Sequence, residues 1–309
     1  MNIAKKLISL LVVLVACAAL TGCNAKNKVV EKQSVVIEKR SQEDKPKADY
    51  SGTVSDSDGN AIKDAKLYIL RRNNIKAVSG QKGGYEMVWG GPEFPESHEI
   101  FIIARHEGNN LASATKVVRD TQIQNITLKP AITATGAVTD PDGKPIENVK
   151  VSVGFITKFY ITSFSEKDTF GVNSRGIYRV PFIPPNHRYS VSSYAEGYGS
   201  ERIIVNSDDA VNGVLELNPL ILLKANETVS GVVVNSDGKP VPNAKVYRKG
   251  DHQPLGSKKT NADGTFIIAV CKGDVLIGSS VKKDGVMLAG NVMVSSGSED
   301  VKIVLEPRP

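Results

Sequence analysis

Disulfide-forming cysteine is almost missing from this 309-residue chain, which has three Cys residues in all. Aromatics are sparse at 6%, and Trp89 is the single tryptophan. Histidine occurs four times, as His98, His106, His187 and His252, with no His-Glu-x-x-His arrangement among them. Beyond the first 22 residues no segment holds a sustained 3.6-residue apolar period, which argues against amphipathic helices. These absences narrow the field. A hydrolase needs a nucleophile beside a base, or a metal with an open coordination position, and neither constellation is visible. No cofactor motif is present, so no cofactor is expected, and the chain is not expected to be an enzyme. The formal charge of +6 is mild for this length. The doublets Arg71-Arg72, Lys258-Lys259 and Lys282-Lys283 are scattered and read as solvated loops or strand edges, not as a nucleic-acid face.

The only long apolar run lies at the start. Lys5-Lys6 precede an apolar or small stretch from Leu7 to Ala19, followed by Leu20-Thr21-Gly22-Cys23. A basic n-region, an apolar h-region and small residues before a cut make a secretory signal, and the run is shorter than the roughly 20 residues that a spanning helix needs. The segment resembles the lipoprotein type of signal peptide, with Leu20, Thr21 and Gly22 as lipobox and Cys23 as the lipidated residue. That resemblance implies cleavage before Cys23 and a thioether-linked diacylglycerol, usually with a further acyl chain on the new amine. One acyl chain binds a membrane only marginally, whereas two or more hold firmly. Export also argues against a nucleic-acid partner. Asn24 follows the cysteine in place of the aspartate that retains such proteins in the inner membrane of enteric bacteria, which favours an outer membrane in a Gram-negative cell. Cys17 leaves with the leader and Cys23 carries lipid. Cys271 is then alone, within Phe266-Ile267-Ile268-Ala269-Val270-Cys271, and reads as a small hydrophobe in a strand.

Residues 23–48 hold the lipidated cysteine and a Lys-, Glu-, Gln- and Ser-rich stretch. It is too polar to offset the entropy of ordering. It reads as a flexible tether reaching roughly 25–30 Å.

From residue 49 the chain repeats. SGTVSDSDGNAIKDAKL begins at Ser51, TGAVTDPDGKPIENVKV at Thr135 and SGVVVNSDGKPVPNAKV at Ser230. The three align without gaps and share Gly at the second place, Val at the fourth, Asp-Gly at the eighth and ninth, and Lys at the sixteenth. Each window is followed by a Gly-x-aromatic triplet, namely Gly83-Gly84-Tyr85, Gly176-Ile177-Tyr178 and Gly264-Thr265-Phe266. An acidic residue before glycine comes next, as Glu107-Gly108, Glu196-Gly197 and Asp284-Gly285. Each unit closes on Ile126-Thr127-Leu128, Ile221-Leu222-Leu223 or Ile303-Val304-Leu305. A fixed period of this kind dictates the architecture. Short β-branched runs between turn residues spell strands, and Asp-Gly between apolar runs spells a tight reversal. The expected fold is all-β, with three tandem antiparallel Ig-like, transthyretin-like β-sandwich modules. They occupy residues 49–130, 131–225 and 226–309, behind a leader over residues 1–22 and the tether over 23–48.

The opening Gly-x-Val, the Asp-Gly-x-Pro/Ala-Ile/Val turn, the Ala/Val-Lys-Val/Leu strand and the later Gly-x-Tyr/Phe resemble the carboxypeptidase regulatory-like domain. The third unit matches best, through Gly238-Lys239-Pro240-Val241, Asn243-Ala244-Lys245-Val246 and Asn261-Ala262-Asp263-Gly264-Thr265-Phe266. The resemblance implies a transthyretin-like sandwich, related in shape to some starch-binding modules, that accompanies enzymes and surface proteins without catalysing. The first unit departs from it at Gly59-Asn60-Ala61-Ile62, which lacks the proline, and the second carries an insertion around Phe155 to Phe170.

Asp56-Ser57-Asp58-Gly59-Asn60 has the look of a calcium loop, but the twelfth residue is Leu67 where an EF-hand needs Glu, so it reads as a turn. The middle unit concentrates the aromatics: Phe155, Phe159, Tyr160, Phe164, Phe170, Tyr178, Phe182, Tyr189, Tyr194 and Tyr198. Most are expected in the core or against a neighbouring unit. Phe159, Tyr160 and Phe164, in the insertion, are candidate ligand-contact residues, together with Trp89, because flat rings stack on sugars and anchor protein interfaces alike. The leading expectation is a non-catalytic, lipid-anchored envelope spacer or protein-interaction module with an unknown envelope protein as partner. The alternative is a carbohydrate-binding surface lipoprotein with an envelope polysaccharide as ligand. Modules of about 85 residues without a staple are marginal, so at least one contact between modules is expected to add stability, through the middle one.

Overall fold

The computed structural model describes residues 49–70, 72–88, 99–117, 122–158, 161–163 and 169–308. They form strands, turns and two short 3-10 turns, and belong to one compact unit. The expected all-β sandwich architecture holds.

Alternation accounts for the strands. Val301–Pro307 buries Val301, Ile303 and Leu305 and exposes Lys302, Val304 and Glu306, the period of two that puts successive side chains on opposite faces. Three hydrophobic cores result among the described residues. The first is built around Val54, Leu67, Tyr85, Met87 and Ile102. The second is built around Val138, Val151, Tyr178, Tyr189 and Val191, and the third around Val233, Val246, Phe266, Ile268 and Ile277.

Each sandwich follows one plan. An opening strand, Tyr50–Ser55, Ile132–Thr139 or Glu227–Asn235, lies at the centre of the first sheet. On one side it pairs antiparallel with the strand of the Gly-x-aromatic motif, Gly84–Met87, Ile177–Ile183 or Thr265–Val270. On the other it pairs parallel with the closing segments: Ile126–Thr127 in the first sandwich, Val214–Glu216 and Leu220–Ile221 in the second, Val301–Pro307 in the third. Every parallel pairing between named strands involves an opening strand, and the remaining pairings are antiparallel. Parallel neighbours need a long crossover, and here the crossover is the rest of the sandwich. The chain therefore enters at one end of the first sheet and leaves at the other.

The second sheet begins at the repeated lysine, with Lys66–Ile69, Lys150–Ile156 and Lys245–Lys249. Each of these strands pairs with the first arm of a hairpin, whose arms are Phe101–His106 with Leu111–Lys116, Arg188–Tyr194 with Ser200–Asn206, and Asp274–Lys283 with Val286–Ser295. In the third sandwich the two sheets are joined through Leu288 opposite Pro307 and Ala289 opposite Glu306. The insertion of the middle unit starts later than the sequence suggests. Phe155 is a buried member of Lys150–Ile156, and Ile161–Ser163 and Thr169–Gly171 both pair back onto that strand. Phe155 keeps the apolar alternation of its strand, so it belongs to the core and not to the extra segment.

Two repeat motifs turn out to be one feature. The glycine at the second place stands opposite the aromatic of the later triplet in all three units: Gly52 with Tyr85, Gly136 with Tyr178, Gly231 with Phe266. A Cβ on Gly136 would lie 2.6 Å from the Tyr178 hydroxyl oxygen. A Cβ on Gly52 or Gly231 would lie 2.4 Å from the carbonyl oxygen of Gln124 or 1.9 Å from that of Val301, in the closing segment. Glycine is required for close approach of backbone and ring, a pairing that aromatic side chains across from strand glycines commonly satisfy.

Candidate functional site

The lipobox Leu20, Thr21 and Gly22, the lipidation residue Cys23, and the candidate contact aromatics Trp89, Phe159, Tyr160 and Phe164 lie outside the described residues, as does His98. Of the other aromatics of the middle sandwich, Phe155, Tyr178 and Tyr189 are fully buried, and Phe170 and Tyr198 are partly buried against the same core.

The supposed calcium loop is a turn. Asp56 Oδ1 accepts from the backbone N–H groups of Asp58 and Asn60 at 3.0 and 2.8 Å. Asp140 does the same for Asp142 and Lys144, and Asn235 for Asp237 and Lys239. Gly59, Gly143 and Gly238 follow at φ between 78° and 84°, where a side chain would be strained. The hydrogen bond from the Asn60 side chain, followed by that from its backbone, holds the Asp56 carboxyl below its ordinary range. Asp56 Oδ2 accepts from the Asn60 side chain at 3.0 Å, so both carboxylate oxygens are engaged within the turn.

The described histidines have structural partners. His106 Nδ1 accepts from Asn109 N and caps a 3-10 turn. His252 pairs with Glu201, and His187 lies at the first of two joints between sandwiches.

At that first joint the sandwiches share a core. Phe101 and Ile103, from a strand of the first sandwich's second sheet, and Leu70, one residue past the strand Lys66–Ile69, belong to the cluster of the second. Phe101 and Phe155 have ring centroids 5.0 Å apart, and the His187 ring lies 5.9 and 4.9 Å from them. Its Nε2 is 3.1 Å from the carbonyl oxygen of Ala114. Burial lowers the His187 pKa below 6.5, so the neutral ring is favoured. The Lys158 N–H donates to Glu99 across the same joint at 3.2 Å.

Both connecting segments are pinned to the preceding hairpin. Lys129–Pro130 pairs with Leu111 and Ala112, and Ala131 N–H donates to Asn110. In the second joint Tyr198 bridges Lys224, Gly199 N–H donates to Leu223, and Ala225 N–H donates to Gly197. The connection is held just after Glu107-Gly108 at the first joint and at Gly197 itself in the second. Beyond it, Ser200 donates through N–H and Oγ to the carbonyl of Gln253, whose side chain brackets Cys271 by accepting from its N–H and donating to its carbonyl. Cys271 is buried, one residue past its strand, with Sγ 3.4 Å from the Leu223 carbonyl oxygen, and burial pushes its thiol pKa up. It behaves as the small hydrophobe the sequence suggests, at a joint that the sequence does not reveal.

Beside the second joint lies a cleft of about 550 Å³, lined by Lys150, Tyr194 and Tyr198 from the second sandwich and Arg248, Pro254 and Leu255 from the third. Tyr194, Tyr198 and Arg248 are half-buried. Arg248 Nη2 donates to the Leu255 carbonyl at 3.1 Å, while its Nε is buried without a hydrogen-bond partner. Sequence reasoning passed over Arg248. It follows the aligned Lys-Val-Tyr strand without a motif, and the cleft exists only where two sandwiches meet.

No protein-family model matches the chain, and no curated protein matches it. Solved structures align with it at low similarity. The Bacillus anthracis TIE protein is 12% identical with a TM-score of 0.27, over 85% of this chain and 51% of that one, so the aligned part is about half of that structure's length. A streptococcal ancillary pilin is 10% identical with a TM-score of 0.30, over 84% of this chain and 99% of the other. A putative cell adhesion protein from Bacteroides fragilis is 9% identical with a TM-score of 0.24, over 57% and 97%. Among the described residues no helix is long and apolar enough to cross a membrane.

Proposed function

We propose that the chain is a non-catalytic lipoprotein of the bacterial envelope, anchored through Cys23, whose sandwiches serve as a spacer that presents a docking surface away from the membrane. The observation that carries the reading is the construction of the joints. A spacer must resist folding back on itself, and both connections here are hydrogen-bonded to the preceding hairpin, one of them beneath a shared aromatic core. Each fully buried Phe or Leu side chain contributes about 1.5–3 kcal/mol relative to exposure, so Leu70, Phe101 and Ile103 outweigh the median surface ion pair of about 0–1 kcal/mol. The leader with its lipobox and the polar tether supply the anchor side of the proposal. The division into residues 49–130, 131–225 and 226–309 belongs to it, as does kinship with carboxypeptidase regulatory-like domains, which rests on the sequence motifs alone. An envelope protein is the expected partner.

The anchor is tested by Cys23→Ala in the native host. The variant is expected to leave the membrane fraction and to lose incorporation of labelled palmitate. Retention in the membrane with no label in either protein would overturn the anchor. In-cell cross-linking of the wild type is expected to capture a reproducible envelope protein, and recovery of polysaccharide alone would overturn the docking role.

A further inference from the structure

We propose that the cleft at the second joint binds an acidic saccharide, with the carboxylate of a uronate unit on Arg248 and sugar rings against Tyr194 and Tyr198. This inference does not rest on the anchor or on the spacer reading.

Three observations converge on one place. The first is size: about 550 Å³ falls within the range of small-ligand sites and accommodates two or three sugar units. The second is the state of Arg248. Among the described residues it has no carboxylate within ion-pair distance, and its buried Nε lacks a hydrogen-bond partner. A guanidinium offers five donors in a planar fork that matches a carboxylate bidentately. The Nε is closed off from the cleft, so a ligand carboxylate would meet the terminal nitrogens of the fork, one of which already donates to the Leu255 carbonyl. The unpartnered Nε marks a guanidinium whose burial the protein does not fully satisfy. The third is the pair of half-buried tyrosines lining the same cleft, since such rings offer an apolar face to a sugar and a hydroxyl to its polar edge.

The charges nearby decide between neutral and acidic ligands. Lys150, on the strand next to Tyr194, adds a second cation. Glu147 and Glu196 also line the cleft but are exposed, where solvent and salt screen them. Arg248 is half-buried, where a charge acts more strongly on a bound group. Lys150 is exposed like the two glutamates and is screened as they are. Arg248 alone therefore sets the sign for a ligand seated deep in the cleft, while the glutamates can accept hydrogen bonds from sugar hydroxyls at its mouth. A peptide carboxylate would meet the same fork, but two tyrosines without a deep apolar pocket suit a ring better than a side chain.

The test is calorimetric titration of the full chain, purified in detergent, with tetragalacturonate. Its fully methyl-esterified form and a tetraglutamate peptide serve as the two comparison ligands. The expected result is saturable binding of tetragalacturonate, at least tenfold weaker for the ester and for tetraglutamate. Arg248→Gln is expected to weaken tetragalacturonate binding at least tenfold with an unchanged circular dichroism spectrum. Should that variant misfold, Leu255→Glu provides the second probe, because Leu255 is 61% exposed at the cleft wall and a carboxylate there would repel the ligand and lower affinity severalfold. No binding, equal binding of the ester, tighter binding of the peptide, or unchanged affinity in both variants would each overturn the proposal.

Discussion

At the scale of single residues, the same repeat position is chemically solved three ways. Tyr85 donates its hydroxyl to the Gln124 carbonyl, Tyr178 buries its hydroxyl with no hydrogen-bond partner, and Phe266 has no hydroxyl to satisfy. Burial raises the pKa of both tyrosines to about 12, so both are neutral phenols at physiological pH. An unsatisfied buried polar group costs about 1–3 kcal/mol, and a made hydrogen bond contributes about 1 kcal/mol. Tyr178→Phe is therefore expected to leave stability unchanged or raise it by up to about 1 kcal/mol, whereas Tyr85→Phe lowers it by about 1 kcal/mol, both read by chemical denaturation. A loss for Tyr178→Phe as large as that for Tyr85→Phe would show that the Tyr178 hydroxyl is satisfied in solution. The aromatic itself was legible in the sequence as part of a Gly-x-Tyr/Phe strand. Its partner across the sheet was not, because nothing in a linear motif says that Gly136 and Tyr178, 42 positions apart, are neighbours.

At the scale of elements, the opening strand carries each sandwich. It holds the antiparallel aromatic strand on one side and the parallel closing strand on the other, and its glycine lets the closing backbone come near. In the third sandwich a Cβ on Gly231 would fall 1.9 Å from the Val301 carbonyl oxygen, and no flexible side chain can yield there. Gly231→Ala is expected to destabilise the third sandwich by about 1–3 kcal/mol, the usual range for overpacking. Hydrogen exchange should then accelerate along Val301–Pro307 before it does in the hairpin Asp274–Lys283 and Val286–Ser295. Uniform acceleration across the whole chain would count against a local role for this contact. Strands, turns and their order were legible here, since alternation and Asp-Gly are local signals. The parallel closing pair was not, because parallel pairing leaves no local mark on a short β-branched run.

At the scale of the whole described unit, the position of His187 predicts that the first joint weakens in acid. His187 is wedged between Phe101 and Phe155, with Nε2 facing the Ala114 carbonyl. The charged groups acting on it are Asp208, which favours protonation, and Lys129, which opposes it, with burial the largest influence and opposing it. Its folded pKa lies below its unfolded value of 6.5, so the unfolded chain takes up the proton first. The stability that His187 permits is complete above pH 6.5. It declines as the pH falls below that value, until the folded-state pKa is passed and the loss levels off. The melting temperature of the transition containing the first joint is expected to fall between pH 7.5 and 5. His187→Gln should flatten that dependence, and an identical slope in the variant would remove His187 from the account. The shared aromatic core at this joint is where the expected stabilising contact through the middle sandwich would act.

The repeat, read along the chain, spelled out the strands, the turns between them and the number of sandwiches to expect, because hydrophobic alternation and left-handed turn residues act within a few positions. The leader, the lipobox and the polar tether are expectations from local composition in residues 1–48, which lie outside the described residues. Only the tertiary structure decided what happens where two sandwiches meet. The burial of His187, the bracketing of Cys271 by Gln253 and the unpartnered Nε of Arg248 beside Tyr194 and Tyr198 all arise from residues far apart in sequence. Their chemistry depends on desolvation, which is a property of the assembled surface and is written in no single segment.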